Sequence, residues 1–393
     1  MPVRRFPPVR LSIDDIAFGG RGVGRLPDDG RAVFVPFVLP GEEVEAEVVA
    51  EHRRHVEARL VAVTQPASAR TEPRCPYFGR CGGCSYQHAD YATQLSIKRK
   101  QVADLLRRVG RLTFADATVR ATVPSPEIYG YRNRITVHAR DGALGFFTHG
   151  PGERALLDIE ACPLAAPAVN IALHELRARY QRGVLPDGRN YTVSDDDPSS
   201  ADTARFFRQT NDGAAARLRE LVRTLALEAV PTAAARGHLI DAYCGDGFFA
   251  RSLTADFQRI TGIEMDRRAV RAAQAAALAA PHEKYLAGDV AAHLPAALTL
   301  AAAAETVLLV DPPAEGLHET VIAAIAARPP ATLIYISCQP PTLARDLARL
   351  KVGHAADSLY ELLSVTPLDM FPQTAEIEAV VHLRARSGDA AGF

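Results

Sequence analysis

Cys338 stands at the end of an apolar run in "LIYISCQPP", where a thiol serves either as packed filler or as a nucleophile. Near the other end of the chain, Cys75, Cys81 and Cys84 form C-x5-C-x2-C in "CPYFGRCGGC", and Cys162 in "IEACPLAAP" supplies a distant fourth. That stretch has too little apolar content to order itself. Four thiolates suit a structural zinc ion or a [4Fe-4S] cluster, and the spacing does not separate them. His88 is a second candidate for the fourth zinc position. Glu376 and Glu378 in "FPQTAEIEAVV" lie two apart, so in a strand they share a face and periodicity does not choose between them.

The segment "LIDAYCGDGFFA" offers a different chemistry. Gly245, Gly247 and Ala250 fit the glycine turn that lets a backbone approach a nucleotide, and Glu264 follows where a carboxylate can accept both ribose hydroxyls. Asp241 precedes the first glycine and "DPP" ends a later strand, which favours S-adenosylmethionine over a dinucleotide. Asp289 in "AGDV" is placed for an adenine contact, while Cys244 reads as a packed thiol of the turn.

These groups need a scaffold. From about 236, the short apolar runs "GHLIDA", "RITGIE", "TVLLV" and "ATLIYIS" alternate with Ala-rich helical stretches, the pattern of a parallel doubly wound sheet with ligands at its carboxyl edge. Residues 9 to 64 instead alternate as four or five strands cut by glycine turns, which predicts a small closed barrel. "YATQLSIKRKQVADLLRRVG" predicts a helix with Leu95, Val102, Leu105, Leu106 and Val109 inward and Lys98, Arg99, Lys100, Arg107 and Arg108 outward. "YRNRITVHARDGALGFF" predicts a hairpin with Arg132 and Arg134 on one side.

A chain of 393 residues accommodates two or three domains, and we expect three. The basic residues are concentrated in the first 140, the acidic ones in the remainder, so a polyanion is the expected partner of the front part. No apolar stretch reaches the roughly 18 residues of a membrane span, and the basic start lacks an apolar segment behind it. The expectation is a cytoplasmic protein without a membrane or an obligate protein partner.

Taken together, "DAYCGDGFFA", "DPP", "SCQPPTLARDL" and "FPQTAEIEAVVHL" resemble the RNA uracil-5-methyltransferases, which make 5-methyluridine, and the likeness covers nearly the whole chain. It implies a TRAM-like, OB-like barrel at 1–68 for RNA binding and an α+β central domain at 69–205 with the iron-sulfur cluster. A Rossmann-like α/β methyltransferase domain follows at 206–393. It also implies methyl transfer from S-adenosylmethionine to uracil C5, with Cys338 as the nucleophile that adds to C6 and Glu378 as the base. Gln209, Tyr243 and Asp311 match residues of the cofactor pocket, and Cys75, Cys81, Cys84 and Cys162 match ligands of a [4Fe-4S] cluster. Gln339, Glu376 and Phe248 depart from the Asn, His and Asn usual at their positions, and the basic residue that often follows "DPP" is missing. The architecture points to 23S ribosomal RNA, with transfer RNA, another methyl acceptor and a non-catalytic RNA-binding role as alternatives. For the RNA, the basic helix, Arg132 and Arg134 are candidates for phosphates, and Phe206 or Phe207 for stacking on a base.

Overall fold

The computed structural model describes residues 8–150, 155–195, 208–230, 232 and 236–386. Phe206 and Phe207 lie outside them. No helix among the described residues is long and apolar enough to cross a membrane.

Five strands close the N-terminal barrel: β1 (Val9–Ile16), β2 (Arg21–Arg25), β3 (Ala32–Pro36), β4 (Glu43–Glu51) and β5 (His55–Gln65), in the order β1-β2-β3-β5-β4. Alternate residues point inward, so Leu11, Ile13, Val33, Val35, Val44, Ala46 and Val56 fill a core of their own. Gly22 is required where β2 crosses Val38, since a Cβ there would collide with the valine side chain.

A four-stranded antiparallel sheet follows, β6 (Arg134–Arg140), β7 (Ala143–Phe147), β8 (Leu156–Asp158) and β9 (Arg189–Ser194), ordered β8-β7-β6-β9. One face is covered by a helix, labelled α2 (Pro167–Gln181), through Val169 and Leu173. The expected hairpin is β6–β7. Arg132, however, precedes β6, bridges Ala165 and Asn211, and turns away from Arg134 into the cysteine region.

The third sheet has seven strands: β10 (His238–Ala242), β11 (Arg259–Glu264), β12 (Glu283–Ala287), β13 (Thr306–Val310), β14 (Thr332–Ser337), β15 (Tyr360–Leu368) and β16 (Glu378–Ala385). Their order is β12-β11-β10-β13-β14-β16-β15. The first five are parallel; β16 runs antiparallel between β14 and β15. The central parallel strands β10, β13 and β14 are buried on both faces, which explains their largely aliphatic runs. Helices α3 (Asp212–Ala229) and α4 (Arg267–Ala276) cover one face; α5 (Val290–Ala297), α6 (Glu319–Ala327) and α7 (Pro340–Arg349) cover the other. Chain order reverses at β10, between β11 and β13, so the crevice at its carboxyl end is the switch point where ligands bind.

The helix read as basic is α1 (Tyr91–Arg108), and its packing differs from expectation. It lies against α7 in the same core as the seven-stranded sheet, although it precedes the central sheet in sequence. Val119 and Val123 continue this association by bridging Val365 and Leu368. The boundary drawn at 205 therefore divides the sequence more cleanly than it divides the packing. The buried stripe is Gln94, Ile97, Lys98, Gln101, Val102 and Leu106, while Val109 is exposed. Polar residues that reach partners on other elements carry much of this face, which is why apolar periodicity misplaced it. Three of the other four cations are engaged as well: Arg99 bonds the carbonyls of Val119 and Asp116, Lys100 pairs with Asp15 and Asp104, and Arg107 pairs with Asp116.

Candidate active site

The glycine turn follows β10 directly. Tyr243, Gly245 and Gly247 all have positive φ, at 66°, 56° and 87°. The tyrosine is the costly one, held there by N–H donation from Tyr243 and Cys244 to the Ile263 carbonyl. A Cβ on Gly245 would meet nothing within 4 Å, so this glycine borders open crevice. Gly262 beneath it is a packing glycine, whose Cβ would collide with the Tyr285 ring and lie 2.8 Å from the Cys244 sulfur. Cys244 is buried in that contact, as a packed thiol should be.

Glu264 accepts from the Gly245 N–H at 3.0 Å and from the Asp266 N–H at 2.8 Å. These bonds fix its carboxylate at the lip of the turn. Asp241 is fully buried; one oxygen accepts from the Ala250 N–H at 3.0 Å and the other has no partner. Burial, reinforced by Asp311 and Glu264, pushes its carboxyl up to about 7. Asp289 is exposed and caps α5 through the Ala291 N–H at 2.9 Å. Gln209 is half-buried, its carbonyl accepting from Asn133 Nδ2 at 2.8 Å.

Across the crevice, β14 and β16 pair with Ser337 opposite Ala379. The next residue out on each strand is Cys338 and Glu378, so the antiparallel register brings thiol and carboxyl together although 40 residues separate them in sequence. Glu378 is buried, whereas the Glu376 side chain is exposed. The Cys338 thiol is half-buried and pushed up to about 11, by burial first and then by Glu378 and Asp311. Asp311, just beyond β13, is raised mainly by its own burial, and Glu378 is raised by burial and by Asp311. Three acidic groups thus share one pocket and each disfavours ionisation of the others. Groups in such a pocket become charged when a cation or a proton transfer relieves the repulsion.

The residues that hold this pocket were missed by sequence reasoning. Lys98 has no solvent exposure and donates to Asp369 Oδ1 at 2.6 Å, to the Glu376 carbonyl at 2.7 Å and to the Phe371 carbonyl at 3.2 Å. It therefore grips both ends of the loop between β15 and β16. Gln94 bonds both the N–H and the side chain of Gln373, which sits at φ 70°. Tyr131 donates to the Pro372 carbonyl, and Asn211 to the Met370 carbonyl. On the opposite side, buried Asp346 accepts from the Leu317 N–H and the Tyr335 hydroxyl, fixing the segment after "DPP". Polar residues inside a helical or loop pattern were the available signal.

Cys75, Cys81, Cys84 and Cys162 line one cavity of about 230 Å³ with Gln87, Arg132, Phe146 and Phe147. Burial, together with the neighbouring thiols, pushes Cys75 and Cys81 up and takes Cys84 to about 12. Gln87 ties the set together, accepting from the Cys75 N–H and donating to Cys84 Sγ at 3.2 Å. Among the described residues no three of these sulfurs lie within 4.8 Å of one another. Four thiols gathered on one cavity suit either a tetrahedral zinc ion or a multi-iron cluster with one thiolate per iron. Arg132 offers a positive charge beside it. His88 does not take part: it is buried, bonds the Val38 carbonyl at 3.2 Å, and burial takes it down to about 4.

Comparison with known proteins places this geometry. Residues 296–386 match the family model described as tRNA (Uracil-5-)-methyltransferase, and residues 5–61 match the TRAM domain. An uncharacterized RNA methyltransferase of Protochlamydia amoebophila is 30% identical over 96% of this chain and 97% of its own length. The tRNA (uracil(54)-C(5))-methyltransferase of Schizosaccharomyces pombe is 27% identical, over 98% of this chain and 79% of the yeast protein. The crystal structure of Pyrococcus abyssi tRNA (uracil-54, C5)-methyltransferase, in complex with S-adenosyl-L-homocysteine, superposes with a TM-score of 0.68 at 21% identity. That match covers 95% of this chain and 100% of the archaeal one.

Proposed function

The chain belongs to the RNA (uracil-5-)-methyltransferase family, and on that premise we propose that it methylates C5 of a uridine in RNA through a covalent Cys338–C6 adduct. The observation that carries this reading is the β14–β16 register, which sets Cys338 against Glu378 beside Asp311 at the mouth of the glycine turn. Uracil C5 is a poor nucleophile until the ring is activated. The Cys338 thiolate adds to C6, breaking the C5–C6 double bond and placing negative charge on C5 and the adjoining carbonyl. S-adenosylmethionine, when bound, supplies the methyl group from a sulfonium whose positive charge suits a pocket of three acids. Once C5 carries the methyl group, Glu378 removes its remaining proton; the double bond reforms and the Cys338 sulfur leaves.

Gly245 and Tyr243 present the turn to the cofactor, Glu264 its ribose carboxylate, Asp289 the adenine contact, and Gln209 with Asp311 close the pocket. The quartet Cys75, Cys81, Cys84 and Cys162 holds a [4Fe-4S] cluster whose role is to order a glycine-rich segment that has no core of its own. A stacked uridine hides both ring faces, so the target is taken from a loop or flipped out, with the barrel positioning the RNA backbone.

For the substrate we favour 23S ribosomal RNA, on the combination of barrel and cysteine quartet; the named tRNA relatives support uridine in transfer RNA as a second reading. The test is incubation with S-adenosylmethionine and either RNA carrying 5-fluorouridine. Fluorine does not leave as a proton does, so a Cys338 adduct should persist with the true substrate. Turnover retained by Cys338→Ala would overturn the covalent mechanism.

A further inference from the structure

We propose that His52, His55 and Glu57, where β4 turns into β5 on the barrel, form a binding site for a divalent cation of the zinc class, separate from the cysteine quartet. The spacing builds it. His52 precedes the turn, His55 opens β5, and Glu57 lies two residues on, projecting from the same face of the strand as His55. Their ligand atoms all lie within 4.8 Å of one another, the one such group of three among the described residues. The two imidazoles stack at 4.3 Å between centroids and 21° between planes, and His52 Nε2 lies 3.8 Å from Glu57 Oε1; a shared cation requires these rings to turn out of the stack, because each nitrogen lone pair lies in its ring plane.

Supporting contacts fix the turn, the carboxylate and the His55 ring. Arg21 donates at 3.1 Å to Glu57 Oε1, the same oxygen that faces His52, and so steadies the carboxylate. The His52 N–H donates to the His55 carbonyl at 2.9 Å, closing the turn, and Arg31 donates to the His52 carbonyl at 3.3 Å. Phe34 meets the His55 ring edge-on at 5.5 Å. None of the three belongs to the barrel core. Two imidazoles and a carboxylate form a borderline donor set that suits zinc, with nickel and copper as competitors, and three protein ligands leave a position for water.

The test loads the full-length protein with zinc, dialyses it, and counts bound metal in wild type, His52→Ala and Glu57→Gln, all with every cysteine intact. Wild type should hold one equivalent more than either variant, and zinc should raise the melting temperature of wild type but not of His52→Ala. Because the His52 side chain is 48% exposed, its variant should fold, so a loss of metal there is not a loss of the barrel. Cobalt gives the independent readout: the extra equivalent should show ligand-field bands without thiolate charge transfer. Equal metal content in all three proteins, or a cobalt spectrum of thiolate character alone, overturns the proposal.

Discussion

Replacing Lys98 with methionine removes the cation that links α1 to the loop leading into Glu378. Lys98 and Asp369 are 2.6 Å apart with no exposure on either side, and Asp369 Oδ2 already lacks a partner. Truncating one member of such a pair leaves a buried charge uncompensated, which costs about 3–5 kcal/mol. The carbonyls of Phe371 and Glu376 lose their donor in the same step. At a few degrees per kcal/mol, the melting temperature should fall by roughly 10 °C. Lys98→Met with Asp369→Leu then separates two effects. Removing both charges should restore most of the stability, yet the two carbonyls remain ungripped and Glu378 loses its fixed approach. We expect the double variant to melt near wild type while its turnover stays depressed, with kcat reduced, KM little changed and the methylated covalent adduct accumulating because proton removal is slowed. Scanning calorimetry and trapping on denaturing gels read the two quantities separately. A double variant that recovers both stability and turnover would show that the lysine only neutralises Asp369, and a single variant within 1 kcal/mol of wild type would refute the buried-pair argument itself.

Glu378→Gln removes a negative neighbour of Cys338, so the thiol should ionise below its present value of about 11, and the alkylation-against-pH profile of the Cys338 peptide should move to lower pH. The same variant should retain methylated adduct instead of releasing product. Gly262→Ala forces a methyl group into the Tyr285 ring and the Cys244 sulfur, which should cost about 1–3 kcal/mol on thermal unfolding and weaken cofactor binding through the displaced turn. Cys84→Ser should abolish the visible absorbance of an anaerobically reconstituted cluster and raise proteolytic cleavage within 71–88, whereas Cys244→Ser should leave the absorbance intact.

What the sequence revealed followed from what is local and periodic. The two-residue period of the barrel, the apolar runs of the parallel strands, the glycine turn with Glu264 and the four spaced cysteines were all legible, because each is a pattern along the chain. Periodicity does not separate Glu376 from Glu378, because both share a strand-like parity, and only the family resemblance points to Glu378; their difference arises where β16 begins and one side chain is buried while the other stays exposed. Lys98 was read as a surface cation for the same reason. Its partners lie more than 270 residues downstream, and only the packing of α1 on the sheet reveals that a lysine occupies a core position. Arg132 was assigned to a strand it precedes, because the alternating pattern continues past the point where the chain turns under.

The charge arrangement explains why the resting pocket is quiet. Burial and mutual repulsion raise the thiol of Cys338 and the carboxyls of Asp311 and Glu378, so the free site carries less negative charge at neutral pH than its composition suggests. A thiol at about 11 is almost wholly protonated there, and a standing thiolate would be open to stray alkylation and oxidation. A positive charge entering the same pocket reverses the balance, favouring ionisation of all three groups at once. In the proposed mechanism, a bound cation would therefore ready Cys338 and Glu378 together, without a resident lysine or histidine. Lys98 on α1 is committed to Asp369 and to two carbonyls of the loop between β15 and β16. The missing basic residue after "DPP" fits the same logic: a fixed cation beside Asp311 would hold the pocket ionised whether or not a methyl donor was present.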